Sequence, residues 1–244
     1  MSKNFEVLDC RETVLGELML RRRRLMSLEV EIFEVKLRDD FLMSTLFHEV
    51  EETLARLGLG ELDGDRWDVV VGGLGLGYTA AAVLEHAKVR SLAVVEFLEP
   101  VMEWHRRGLV PLGSRLTGDE RCRLLHGDFF ACALSGEGFD PARPRQQFHA
   151  ILLDIDHSPR DLLHAGNASF YQPAGLRALA CHLRPGGIFG LWSDDPPDEE
   201  FMQSLDAAFT ETRAHIVSFE NPLLESQSAS TVYLARKPLQ TAVD

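Results

Sequence analysis

The chain has 244 residues, 45% apolar and 26% charged, with a formal net charge of −13. This is the composition of an ordinary globular protein, long enough to bury a large core without disulfide or metal staples. The acidic balance argues against general affinity for nucleic acid or an anionic membrane surface, which needs excess Lys and Arg, and suits a small cationic substrate.

The first segment, Met1–Glu6, has no apolar stretch of the kind a secretion leader carries, and no apolar run reaches the roughly 20 residues that span a bilayer. The four cysteines, Cys10, Cys122, Cys132 and Cys181, form no C-x-x-C pair. They are expected to be reduced, mostly buried thiols of a cytoplasmic protein, with no metal site.

Residues 1–40 read as extended. Val14–Leu20 has β character, and Glu29–Leu37 alternates polar and apolar side chains. Arg21–Arg24 between them reads as a solvated hairpin end. Phe41–Leu57 reads as a helix with Leu42, Leu46, Val50, Leu54 and Leu57 on one stripe, and Gly58–Asp65 as a turn-rich connector. From Trp67 onward strands and helices alternate. The strands are Asp68–Val71, Ser91–Glu96, Cys122–His126, Phe148–Asp154 and Ile188–Ser193. Helices are expected over Thr79–Ala87, Glu99–Arg107, Gln172–Leu183 and Asp198–Phe209, with Arg184–Gly187 closing the third. Two last strands, His215–Phe219 and Thr231–Ala235, lack a crossover helix and are expected to be antiparallel. The pattern predicts a doubly wound, mostly parallel sheet with helices on both faces. Residues 1–62 form an N-terminal strand-and-helix region, and residues 63–244 the Rossmann-like domain.

The chemistry concentrates at strand ends. Gly72, Gly73, Gly75 and Gly77 fall in the turn after the first parallel strand, just before a helix N-terminus, where backbone can approach a ligand. Glu96, ending the next strand, is placed to accept hydrogen bonds from both ribose hydroxyls of a nucleotide-like molecule. Asp128 would accept from an adenine amino group, with Phe129 or Phe130 packing on the ring. Asp154 would face the reacting centre, with Asp156 or His157 assisting as acid or base. Asp194 and Asp195 could line the same pocket, whereas Glu199 and Glu200 suit a helix start. No Lys or Arg occurs from Asp68 to Ala87. That absence disfavours a dinucleotide's pyrophosphate and favours an adenosyl sulfonium.

In these motifs the chain resembles the spermidine synthase family of aminopropyltransferases, within the class I S-adenosylmethionine-dependent methyltransferase fold. The resemblance runs from about Asp68 to Leu191 through Gly72–Gly77, Glu96, Gly127-Asp128, Ile151–Asp154, Phe170-Tyr171 and Leu183–Ile188. It implies a seven-stranded sheet, an N-terminal β-hairpin region that helps cover the site, and S-adenosylmethionine or its decarboxylated form as co-substrate. It also implies a cationic amine as acceptor, with pairing through an N-terminal strand edge as a candidate homodimer. Two positions depart from the pattern: Gly75 stands where the family carries an aspartate that holds the decarboxylated donor's amine, and His157 stands where it carries a second aspartate after Asp154. Both changes remove negative charge. Methyl transfer to a small molecule is therefore the second reading, and a non-catalytic nucleoside-binding homologue the third.

Overall fold

The computed structural model describes residues 4–239. Residues 1–3 of the Met1–Glu6 segment and residues 240–244 at the end of the second segment lie outside the described residues.

An antiparallel meander opens the chain: β1 (Phe5–Thr13), β2 (Gly16–Leu25), β3 (Val30–Leu37) and β4 (Asp40–Ser44), paired in that order. The hairpin ends fall at 14–15 and 26–29, so Arg21–Arg24 lies within β2, contrary to the sequence reading. The run is held there by cross-strand charge. Arg21 Nε and Arg23 Nε donate to the two oxygens of Glu34, which is buried, at 2.6 and 2.9 Å, and Arg22 pairs with Glu6.

The helix expected from Phe41 also starts later. β4 pairs with β3, Met43 opposite Val35 and Ser44 opposite Glu34. α1 then runs Glu49–Gly60, straight through Gly58. The leucine stripe that mimics a helical period across Leu42 and Leu46 is the accident of a strand followed by a helix. Gly58 is used for close packing, since a Cβ there would lie 2.8 Å from Leu152 Cδ2.

The second sheet contains β5 (Trp67–Gly72), β6 (Val89–Glu96), β7 (Cys122–His126), β8 (Phe148–Leu153), β9 (Leu183–Ser193), β10 (Thr210–Asn221) and β11 (Ser226–Arg236). Its order is β10-β11-β9-β8-β5-β6-β7. The five strands from β9 to β7 are parallel, while β11 runs antiparallel to both β9 and β10. Every residue of β5 is buried, as a central parallel strand covered on both faces requires. Alternation along it feeds two cores. Val69 and Val71 join α1, α2 (Tyr78–Glu85) and α3 (Glu99–Arg106) on one face. Val70 joins α5 (Phe129–Leu134), α6 (Pro173–Cys181) and α7 (Glu199–Asp206) on the other. α5 and the short α4 (Gly113–Gly118) were not expected.

The N-terminal sheet shares the first core through Leu18, Leu20, Val35 and Leu37. It is pinned to the large sheet by Trp104 Nε1 donating to Asp9 Oδ2 at 2.8 Å. Cys10 and Cys181 are exposed and Cys122 and Cys132 half-buried, which corrects the expectation of mostly buried thiols. Among the described residues no helix is long and apolar enough to cross a membrane.

Candidate active site

From β5 the chain winds outward to β6 and β7, then returns to place β8 and β9 on the other side of β5. Strand order therefore reverses between β5 and β8, and in such sheets ligands sit outside the carboxyl ends at that point. A cavity of about 680 Å³ lies there, between those strand ends, α1 and the N-terminal sheet.

The glycine turn forms part of its wall. Gly73 has φ +91°, a backbone state that side chains rarely adopt, and a Cβ on it would lie 2.0 Å from the carbonyl oxygen of Asp154. Asp154 N in turn donates to Gly72 O at 2.9 Å, so turn and β8 end are locked edge to edge. Gly73 and Gly75 border the cavity. Gly72 and Gly77 depart from the cofactor-cradling expectation: Gly72 makes room for the Phe129 ring, and Gly77 for Leu116 and His105. At Gly75 the space a side chain would take is held by Met43 of β4, whose Sδ lies 2.5 Å from the Cβ position and accepts from Leu76 N at 3.3 Å.

Glu96 is almost wholly buried on the cavity wall. Leu74 N donates to Oε2 at 2.9 Å and Leu98 N to Oε1 at 2.7 Å. Burial raises its pKa against the pull of those amides. The amides of Gly75 and Phe97 pull in the same direction. Asp128 caps α5, its Oδ1 accepting from Phe130 N and Ala131 N at 2.9 and 3.1 Å, which leaves Oδ2 over.

Phe129 borders the cavity, but its ring is almost wholly buried and packs against Gly72, Phe130, Phe139 and Phe170 as part of the second core. Asp156 is a correction. It is buried away from the cavity and accepts from Leu163 N, Asn167 Nδ2 and Tyr171 OH at 2.8 to 3.1 Å, which ties down the loop after β8. His157 and Asp194 line the cavity, whereas Asp195 is exposed outside it.

Asp154 stands at the mouth of the strand gap, and Thr79 Oγ1 of α2 donates to its Oδ2 at 2.7 Å. Burial pushes its carboxyl up to about 6, with the Thr79 hydroxyl pulling the other way.

No protein-family model matches the chain. Over 137 residues, 56% of the chain, it is 26% identical to putrescine N-methyltransferase 2 of Nicotiana attenuata and equally to that of Nicotiana tabacum. These matches take in 33% and 35% of the relatives, so the chain spans about a third of the length of the curated relatives it matches. Its structure superposes on spermidine synthase from Thermotoga maritima with a TM-score of 0.70 at 17% identity, over 96% of this chain and 73% of that one. A spermidine synthase in complex with the transition-state analogue AdoDATO gives the same TM-score and coverage at 16% identity. The chain has the spermidine synthase fold.

Within that fold this cavity carries a pronounced charge. Glu49, Glu51, Glu96, Asp128, Asp154 and Asp194 line it, and no Lys or Arg does among the described residues. Among the lining residues that the sequence left unread, three matter most to the chemistry. Trp192 keeps a buried indole N–H without an acceptor among the described residues. Met43 looked like part of a helix. Glu51 fell within the helix expected over Phe41–Leu57 and was given no role, although it shares a face with Leu54, Ala55 and Gly58, all buried. That phase was the available signal.

Glu51 is 8% exposed, and burial together with the charge of Asp154 raises its carboxyl to about 8. Glu51 and Asp154 are thus both raised above their unfolded values. The native state keeps protons that the unfolded chain gives up, so the stability this contributes is full at low pH. It is lost as pH rises from the ordinary carboxylate range through about 8. We expect the melting temperature of wild type to fall relative to Glu51→Gln across that window, measured by calorimetry; parallel curves would contradict a buried, charged Glu51.

Proposed function

We propose that the protein transfers an alkyl group from an S-adenosyl sulfonium to the nitrogen of a cationic amine, using S-adenosylmethionine or its decarboxylated form as donor. The observation that carries this reading is the acid-ringed cavity at the strand-order reversal, with six carboxylates and no Lys or Arg in its described wall. At short range in a partly desolvated site such charge favours a sulfonium and an ammonium and opposes phosphates. The residues present fit an adenosyl group: Glu96 offers an acceptor carboxylate on the cavity wall to ribose hydroxyls, Asp128 offers Oδ2 to an amino group, and Leu98 and Val101 supply apolar wall.

When bound, the sulfonium supplies an electrophilic carbon. The chain's part is to orient the acceptor and take its proton, since an ammonium has no lone pair to attack with. Asp154 is the base: it opens on the cavity, and Thr79 holds it. Its raised pKa leaves it able to accept a proton near neutral pH. Asp156 is fully engaged elsewhere and cannot share this task.

The relatives named above support an amine acceptor of the putrescine kind, a linear diamine. Met43 packed on Gly75 favours methyl over aminopropyl transfer, because no acid stands there to hold a donor's amine. The test is to incubate the protein with 1,4-diaminobutane and each donor in turn and to identify products by mass spectrometry. An N-alkylated diamine is expected, methylated if the Gly75 argument holds and aminopropylated if it does not. Consumption of neither donor would reject the transferase reading.

A further inference from the structure

We infer that Glu51 of α1 is the substrate-binding residue that, together with Asp154, seats the cationic nitrogen of the acceptor. This rests on the transferase reading and adds the residue that selects for a cation.

Among the described residues Glu51 lacks a partner. It is buried to about nine-tenths on a wall of the cavity, yet the only hydrogen bond its carboxylate accepts, among the described residues, comes from its own backbone N–H. The chain's other strongly buried acids are satisfied. Glu34 holds two arginines, Asp68 holds Arg90 and Ser91, Asp140 holds Arg123, and Asp156 accepts from three residues. A buried carboxylate without a donor is expensive, and such groups are ordinarily paired or replaced. Here the carboxylate belongs instead to the wall of a cavity that Asp154 also lines, close enough for the charge of Asp154 to raise the proton affinity of Glu51. An ammonium placed between them would satisfy both at once, through charge-assisted hydrogen bonds.

The groups facing Glu51 confirm the sign of the field. Asp154 comes from β8 and Glu49 and Glu52 from α1 itself, while the nearby lining bases are His48 and His157. Among the described residues no Lys or Arg lines the cavity, whose bases are His48, His157 and His164, so a cationic ligand is the partner this carboxylate suits. With His157 in place and Asp156 turned to the loop, the segment after β8 brings no second acid to the cavity beyond Asp154, and α1 supplies one.

During transfer the seated ammonium gives one proton to Asp154. The freed lone pair forms the new carbon–nitrogen bond as the carbon–sulfur bond breaks, its electron pair passing to sulfur. The sulfur leaves as a neutral thioether and the product nitrogen takes up the positive charge. The seated cation draws Glu51 into its ionised form, in which it counters that charge.

The test is calorimetric titration of 1,4-diaminobutane and, separately, 5′-methylthioadenosine into wild type, Glu51→Gln and Glu51→Asp. Glu51→Gln is expected to weaken the diamine at least tenfold and leave the nucleoside unchanged, with a melting temperature at pH 8 no lower than wild type. A binding loss accompanied by a stability gain is not produced by a merely structural residue. Glu51→Asp, which keeps the charge, is expected to recover part of the diamine affinity. Equal diamine affinity in wild type and Glu51→Gln would overturn the inference and leave the transferase reading standing. Wild type that binds neither probe would overturn both.

Discussion

Asp154→Asn should fold like wild type, bind donor with unchanged affinity and lose turnover by roughly 10²–10⁴-fold, the range that removing a positioned general base produces. The substitution is close to isosteric, and an amide oxygen can still accept from Thr79 Oγ1, so the 2.7 Å bond that holds the side chain survives. What disappears is the capacity to take a proton from an ammonium. Burial has raised that capacity into the neutral range, to about 6. The wild-type rate should therefore climb as pH passes that value, and the variant should show no such limb. Because Asp154 interacts with Glu51, the observed inflections belong to the pair. Retained turnover in Asp154→Asn would remove Asp154 from the base's role. Asp156 would not be its replacement, since its oxygens are already committed to Leu163, Asn167 and Tyr171.

Gly73→Ala should be among the most damaging single-methyl additions in the molecule. The residue sits at φ +91°, and the added carbon would meet a backbone carbonyl, that of Asp154, at 2.0 Å. No flexible side chain can swing aside there. The strained backbone costs about 1–3 kcal/mol and the overpacked contact about 1–3 kcal/mol more. At roughly 2–4 °C per kcal/mol for a chain of this size, the melting temperature should drop by many degrees. Relief requires the turn and the end of β8 to part, which moves Asp154 from the cavity mouth. Surviving protein should therefore lose turnover as well as stability. An unchanged melting temperature would mean that the turn and β8 do not abut.

Much of this arrangement was legible in the sequence. The parallel strands announce themselves because buried strands are continuous β-branched runs, as in Val69-Val70-Val71, and because each ends at or directly before an acid or a glycine. Glu96, Asp128 and Asp154 could be placed on one rim on that ground alone. The N-terminal region was harder. Arg21–Arg24 looks like a loop in isolation, and only the facing Glu34 makes a strand of it. Leu42 and Leu46 fall by chance on a helical period, and the pairing of Met43 with Val35 overrides it.

Within the site, residue type misled where a side chain had two possible masters. Asp156 is one residue from His157 and chemically suited to catalysis, but the fold after β8 uses it as a hub for a loop. Phe129 follows the aspartate expected to face adenine, yet its ring is buried in the second core because Asp128 starts a helix there. Glu51 was lost among Glu49 and Glu52, which suit the positive end of a helix dipole. Only the burial of its face distinguishes it, and that depends on where α1 docks.

The account stands or falls on whether the acid rim holds an adenosyl group, and the most direct test is calorimetric titration of 5′-methylthioadenosine into wild type and Glu96→Ala. It expects saturable one-to-one binding by wild type, weakened by at least ~1 kcal/mol in the variant through loss of the ribose hydrogen bonds. No binding by wild type, or equal affinity in the two proteins, would contradict it.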